Sequence, residues 1–289
     1  MISCMETITS LQNERVKRVV KLQRKASARR EAGLTVIEGA REVSRAIENG
    51  WQPTELWGCD GFSKEWKTVQ QVGNSRHVGA SCLLFQCSEE VLGKISYREN
   101  PDGVLAVGPL VGKKLSDLAL PDNPLILVAE GVEKPGNLGA LLRTADGAGV
   151  DAVIVADAAT DLNNPNVIRN SIGTLFYLPV AAASSEETIA FLREKGVRIL
   201  SAVPDADTVY TETDLKGPLA IVVGAEDQGL SKHWKQAELA PTKTSRSLKI
   251  SEVKIPMLGK NDSLNVSVSA AILLYEAVRQ RLRRKTSQP

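Results

Sequence analysis

Three short segments of this chain gather the polar side chains and bare backbone that a reaction centre needs. The first is Glu133-Lys134-Pro135-Gly136-Asn137-Leu138-Gly139-Ala140-Leu141-Leu142-Arg143-Thr144-Ala145, which follows an apolar run. Asn137 is expected to cap a helix there, with Arg143 on the same side nearly two turns later. The second, Gly224-Ala225-Glu226-Asp227-Gln228-Gly229-Leu230-Ser231, sets a carboxylate immediately beyond an apolar strand. The third is Ile255-Pro256-Met257-Leu258-Gly259-Lys260-Asn261-Asp262-Ser263-Leu264-Asn265-Val266-Ser267-Val268-Ser269. Pro256 and Gly259 break a strand in it, and Asp262 or Ser263 is expected to cap the helix that runs on through Ala270, Leu274 and Ala277. Such a helix start presents unpaired backbone N–H groups. If the loops meet, they bring a guanidinium, a carboxylate, neutral polar groups and N–H donors to one site. The first two segments also have plainer readings, a capped helix with a surface arginine and an ordinary turn.

Other chemistries have little to build on. The four cysteines, Cys4, Cys59, Cys82 and Cys87, lie in the first third of the chain without a CxxC pair, and His77 and His233 are the two histidines. Neither a metal centre, nor a disulfide framework, nor a Ser/His triad is expected. Gly147-Ala148-Gly149-Val150-Asp151-Ala152 matches a dinucleotide fingerprint in letters only, because it closes a helix and leads into a strand.

The elements that must position these loops alternate along 289 residues, 43% apolar and 24% charged, which describes a soluble globular chain long enough for two domains. Residues 1–111 read as a small α/β unit, with strands at 34–38, 55–58, 83–86 and 103–107 and helices at 40–49, 64–72 and from Ser88. A polar stretch, 112–124, reads as a linker. From 125 to 289, apolar strands at 125–129, 152–156, 175–180, 198–203, 219–223 and 251–255 alternate with helices, the last at 264–284. Strands without polar alternation imply a mostly parallel sheet with helices on both faces, and ligands of such sheets bind at the carboxyl ends of strands, where all three loops fall. The polar start lacks an apolar signal region and no run approaches a membrane span, so a cytoplasmic protein is expected.

Net charge is +2, but Arg15, Lys17, Arg18, Lys21, Arg24, Lys25, Arg29 and Arg30 crowd one expected early helix, and Arg279, Arg281, Arg283, Arg284 and Lys285 close the chain. These are either solvated helix faces or phosphate contacts.

Taken in order, the segments holding Asn137 and Arg143, Glu226, and Ser263-Leu264-Asn265 closely resemble the three signature motifs of the SpoU/TrmH-type RNA ribose 2'-O-methyltransferases of the SPOUT superfamily. Residues 1–111 resemble the small RNA-binding (substrate-binding) domain that precedes the methyltransferase domain in many members. The resemblance implies a deep trefoil knot in residues 125–289, an S-adenosylmethionine cofactor and a homodimer formed through the terminal helix. It assigns backbone contact with the cofactor to Gly224, Ile255 and Leu264. It makes Arg143 the central catalytic residue, with Asn137, Glu226, Ser263 and Asn265 around it.

An arginine is too strong a base to give up its proton easily, so Arg143 is read as gripping the target phosphate and polarising the ribose hydroxyl, with Glu226 orienting it. Arg15, Lys17, Arg18 and Lys21 become RNA contacts by the same reasoning. The substrate implied is structured RNA, with 23S ribosomal RNA as the leading expectation. The alternatives are a tRNA target or a catalytically silent RNA-binding protein of the same fold. The polar segment 241–249 is longer than in shorter members, which implies an enlarged knot loop.

Overall fold

The computed structural model describes residues 5–59, 66, 82–235, 237–239 and 248–282. The strands are β1 (Glu6–Ile8), β2 (Leu34–Glu38), β3 (Glu55–Gly58), β4 (Leu83–Cys87), β5 (Val104–Pro109), β6 (Leu125–Glu130), β7 (Ala152–Ala156), β8 (Val180–Ala183), β9 (Arg198–Ala202), β10 (Leu219–Val223), β11 (Ala237–Leu239) and β12 (Leu248–Val253). The helices are α1 (Glu14–Arg24), α2 (Ala26–Ala32), α3 (Ala40–Glu48), α4 (Glu89–Ile95), α5 (Pro135–Gly147), α6 (Pro165–Asn170), α7 (Ser185–Glu194) and α8 (Val266–Leu282). They form two compact units, residues 1–111 with 161–177, and residues 112–160 with 178–289.

The first unit is a five-stranded sheet of order β1-β4-β3-β5-β2, in which β5 runs antiparallel to both β2 and β3. The single basic helix expected from the sequence is two helices, because Lys25 is extended between α1 and α2. Asn13 caps α1 by accepting from the Arg15 N–H at 2.9 Å, and Val16, Val19 and Leu22 then repeat at helical spacing on the buried face. Ser88 caps α4 in the same way. The segment 161–177, expected with the second domain, groups with this unit. Arg29 grips Asp161 at 2.6 Å, Thr35 donates to the Asn163 carbonyl at 3.0 Å, and Phe176 lies against Trp51. The expected helix 64–72 lies outside the described residues except for Trp66, which is buried against Gly58.

The second unit is a seven-stranded sheet of order β11-β12-β9-β10-β6-β7-β8, parallel throughout except for β11. Every residue of β6, β7 and β10 is buried, which is why these strands read as unbroken apolar runs. The strand expected at 175–180 is instead a short 3-10 turn, Thr174–Phe176, followed by β8. Residues 232–234 likewise make a 3-10 turn. Ser184 and Glu187 form a reciprocal capping box that starts α7. Leu138, Leu141, Leu142 and Ala145 of α5 are buried, as are Ala270, Leu273, Leu274 and Ala277 of α8, and the two helices pack together. Their amino ends arrive beside the loop that follows β10.

Candidate active site

α5 begins at Pro135, where the missing proline N–H removes no hydrogen bond, so Asn137 sits inside the first turn and not at the cap. Its side chain is free for another use, and Nδ2 donates to Glu226 Oε1 at 2.8 Å. The third loop also differs from expectation. Asn265, not Asp262 or Ser263, caps α8, its Oδ1 accepting from the Ser267 N–H at 3.0 Å and from Ser267 Oγ at 2.6 Å. With Oδ1 committed to the helix, Nδ2 faces the other way and donates to Glu226 Oε1 at 2.5 Å and to Asn137 Oδ1 at 3.2 Å. Three loops far apart in sequence are thus tied at one carboxylate.

Glu226 has a further partner that the sequence reading missed. Lys134 Nζ donates to Oε2 at 2.7 Å. This bond is the main cause holding the Glu226 carboxyl below the ordinary glutamate range, helped by the Asn137 amide and the Val266 N–H. In return the Lys134 ammonium is held above its usual value. The lysine side chain is 68% exposed and the glutamate's 23%, so solvent screens much of this attraction and geometry matters more than energy. The available signal was a lysine at a helix amino end, where the positive end of the helix dipole disfavours a cation.

Arg143 is exposed and has no hydrogen bond or ion pair among the described residues. Glu226 does not orient it, because both carboxylate oxygens serve Lys134, Asn137 and Asn265. Nor do Asn137 and Arg143 share a side, since six residues of α-helix turn the chain to about 120° off register.

Beside this cluster lies an open cleft of about 690 Å³ at the carboxyl ends of β9, β10 and β12, lined in part by Val203, Gly224, Ile255, Met257, Ser263 and Leu264. The residues expected to touch a cofactor, Gly224, Ile255 and Leu264, therefore line one cleft together with Ser263. Gly224 admits no side chain, because a Cβ there would lie 2.4 Å from the Gly229 carbonyl carbon, and Gly229 itself turns the loop at φ +64°. A smaller hollow beside it is lined in part by Lys134, Asn137 and Asp227, and Glu226 stands in the lining common to both.

The loop after β10 is braced from beneath by Glu130, the last residue of β6. This carboxylate is 5% exposed and accepts from Ser231 Oγ at 2.5 Å, the Ser231 N–H at 2.8 Å and Ser185 Oγ at 3.0 Å. Trp234 Nε1 donates in turn to Ser185 Oγ. Burying a charge is tolerable when its lone pairs are so filled.

In the first unit, the expected RNA contacts divide. Arg18 bonds to Glu55, and Arg15 stands 3.9 Å from the same buried carboxylate and 4.9 Å over the Phe85 ring. Lys17 pairs with Glu14 at 2.8 Å on the surface, and Lys21 is exposed. Arg29 is buried and serves the carbonyls of Leu22 and Gln23. Arg281 likewise spends its guanidinium on backbone carbonyls, at 2.6 Å for Gly217, while Arg283, Arg284 and Lys285 lie outside the described residues. Among the described residues no group of three or more His, Cys, Asp or Glu is placed to hold a metal ion, and no helix is long and apolar enough to cross a membrane.

This arrangement has relatives. Residues 124–275 match the SpoU rRNA Methylase family, and residues 13–106 match an MRM3-like substrate binding domain. The chain belongs to the SpoU rRNA methylase family. The 23S rRNA (guanosine-2'-O-)-methyltransferase RlmB of Shewanella oneidensis is 41% identical over 78% of this chain and 89% of its own. The 23S rRNA (guanosine(2553)-2'-O)-methyltransferase RlmP of Bacillus subtilis is 29% identical over 94% and 98%. Among solved structures, an AdoMet-bound rRNA methyltransferase from Sinorhizobium meliloti superposes with a TM-score of 0.81 at 28% identity, covering 98% of this chain and 99% of that one.

Proposed function

We propose that the protein transfers a methyl group from S-adenosylmethionine to a ribose 2'-hydroxyl of 23S ribosomal RNA. The observation that carries this reading is the convergence of Asn137, Glu226 and Asn265 at the lip of a cleft walled by Gly224, Ile255 and Leu264. The cleft suits the cofactor. Its walls mix apolar side chains, Val203, Ile255 and Leu264 among them, with the main chain of the tightly folded loop from Gly224 to Gly229. Full-length relatives named as 23S rRNA 2'-O-methyltransferases support the substrate.

When bound, the cofactor supplies an electrophilic methyl carbon on a positively charged sulfur. The protein's own residues must then position the hydroxyl and stabilise the negative charge that gathers on its oxygen. Arg143, exposed and uncommitted, is the cation available to that oxygen and its neighbouring phosphate, a role that needs no loss of its own proton. Glu226 holds the two asparagine amides in place, and Ser263 lines the wall with its hydroxyl turned to Asp262 at 3.4 Å. In the first unit, Lys17 and Lys21 meet RNA phosphates directly, while Arg15 and Arg18 do so around their hold on Glu55.

Three further features belong to the reading. The chain forms a trefoil knot, supported by β12 lying outside β9 and by Lys254 donating to the Thr208 carbonyl and accepting from the Tyr210 N–H. It works as a homodimer through α8, whose Val268, Tyr275 and Leu282 are 45%, 52% and 58% exposed. Residues 1–111 act as the substrate-binding domain in the cytoplasm, where ribosomal RNA is modified. The test is transfer of labelled methyl from S-adenosylmethionine to unmodified 23S rRNA, followed by mapping of ribose methylation in rRNA and tRNA from cells with and without the gene. No gene-dependent ribose methyl in either RNA would end the proposal.

A further inference from the structure

We propose that Lys134 is a positioning residue of the methyl-transfer site, fixing the Glu226 carboxylate so that one oxygen gathers the amides of Asn137 and Asn265. The proposal rests on the reading of the cleft given above. Lys134 occupies the N-cap position of α5 without making a side-chain cap bond, and a cation there opposes the helix dipole. Helix stability therefore does not explain a lysine at this position. Its contact does. Nζ holds Oε2 at 2.7 Å, which leaves Oε1 for Asn137 at 2.8 Å and Asn265 at 2.5 Å.

The chain of bonds has one direction. Asn265 cannot turn its amide over to suit a displaced carboxylate, because Oδ1 caps α8 through Ser267. A Glu226 that takes up a proton, or rotates away, leaves two amide donors without their shared acceptor. The charged groups around Lys134 are Glu226 and Asp227 from the loop after β10 and Glu133 beside it, all carboxylates, so among the described residues no other cation stands with it there. Around Glu226 the remaining donors among the described residues, the Asn137 and Asn265 amides and the Val266 N–H, are neutral. Lys134 is thus the charged group that keeps Glu226 an acceptor as pH falls.

The variants are Lys134→Met and Lys134→Arg, assayed for labelled methyl transfer to 23S rRNA as a function of pH. Lys134→Met is expected to lose about tenfold in kcat, with its acid limb displaced to higher pH. Lys134→Arg restores the limb, and the KM for S-adenosylmethionine stays within about twofold in both, because Lys134 does not line the larger cleft. A Lys134→Met profile that superimposes on the wild type overturns the proposal. A second readout is independent of RNA: the Glu226 carboxyl carbon, assigned by its loss in Glu226→Gln, is followed by NMR titration. It should titrate at higher pH in Lys134→Met than in the wild type, and equal midpoints overturn the proposal. A wild type that methylates no rRNA counts against the reading of the cleft, and the titration alone then decides the role of Lys134.

Discussion

β6 and β10 lie side by side, and each leads to a carboxylate at its carboxyl end, yet the two acids do opposite work. Glu130 is 5% exposed and takes its hydrogen bonds from hydroxyls and an N–H, with no cation bonded to it among the described residues. Glu226 stands at the lip of a cleft, opposite an exposed lysine, and collects two amides from helices that start in other loops. The first ties the frame of the β10 loop to the sheet. The second arranges groups that a substrate can reach. A buried carboxylate surrounded by neutral donors is a brace, whereas one bonded to a charged side chain and two amides at a cleft edge is part of a working surface.

Arg143 is where this contrast would break first. Arg143→Ala is expected to reduce methyl transfer by about 10²- to 10³-fold, while S-adenosylmethionine affinity, measured by calorimetry, stays within a few-fold. Wild-type turnover in that variant would remove the guanidinium from the working surface. Next in size is the brace itself. Glu130→Ala strips the acceptor from two serine hydroxyls and the Ser231 N–H, and should lower unfolding stability by about 2–4 kcal/mol in a urea titration. A loss of activity at full stability would instead make Glu130 resemble Glu226.

The same division is testable in the first unit. Replacing Lys17 and Lys21 by glutamine should flatten the log–log dependence of RNA affinity on salt by about one unit per lost phosphate contact. An unchanged slope would mean that these lysines only solvate α1. The smallest effect concerns Glu38, whose carboxyl is held above the ordinary range by burial, despite N–H bonds from Tyr97 at 2.7 Å and Arg98 at 3.3 Å. Between the unfolded and the raised folded value the native state binds the extra proton, so stability falls as pH rises through that window. Amide exchange in β2 should show this loss, and Glu38→Gln should abolish its pH dependence.

Most of the second unit was legible in the chain. The strands at 152–156 and 219–223 agree to the residue, because fully buried parallel strands are continuous apolar runs with no other use. Local composition failed where a helix or strand end was decided by a distant partner. Asn137 and Ser263 are good cap residues by type, but Pro135 starts α5 two residues earlier and Asn265 caps α8. Residues 161–177 look like a helix-and-strand step of the second unit, yet Asp161, Asn163 and Phe176 find their partners at Arg29, Thr35 and Trp51.

The order of the three glycine loops, their polar residues and the alternation of elements were determined by the amino-acid sequence alone, since caps, breakers and apolar periodicity act over a few residues. Which oxygen of Glu226 meets which donor, that Lys134 is among them, and that Arg143 is left uncommitted were decided only when β6, β10, α5 and α8 packed together. Hydrogen bonds between residues about ninety apart or more have no local signature, because their geometry follows from the whole sheet that brings the strand ends together.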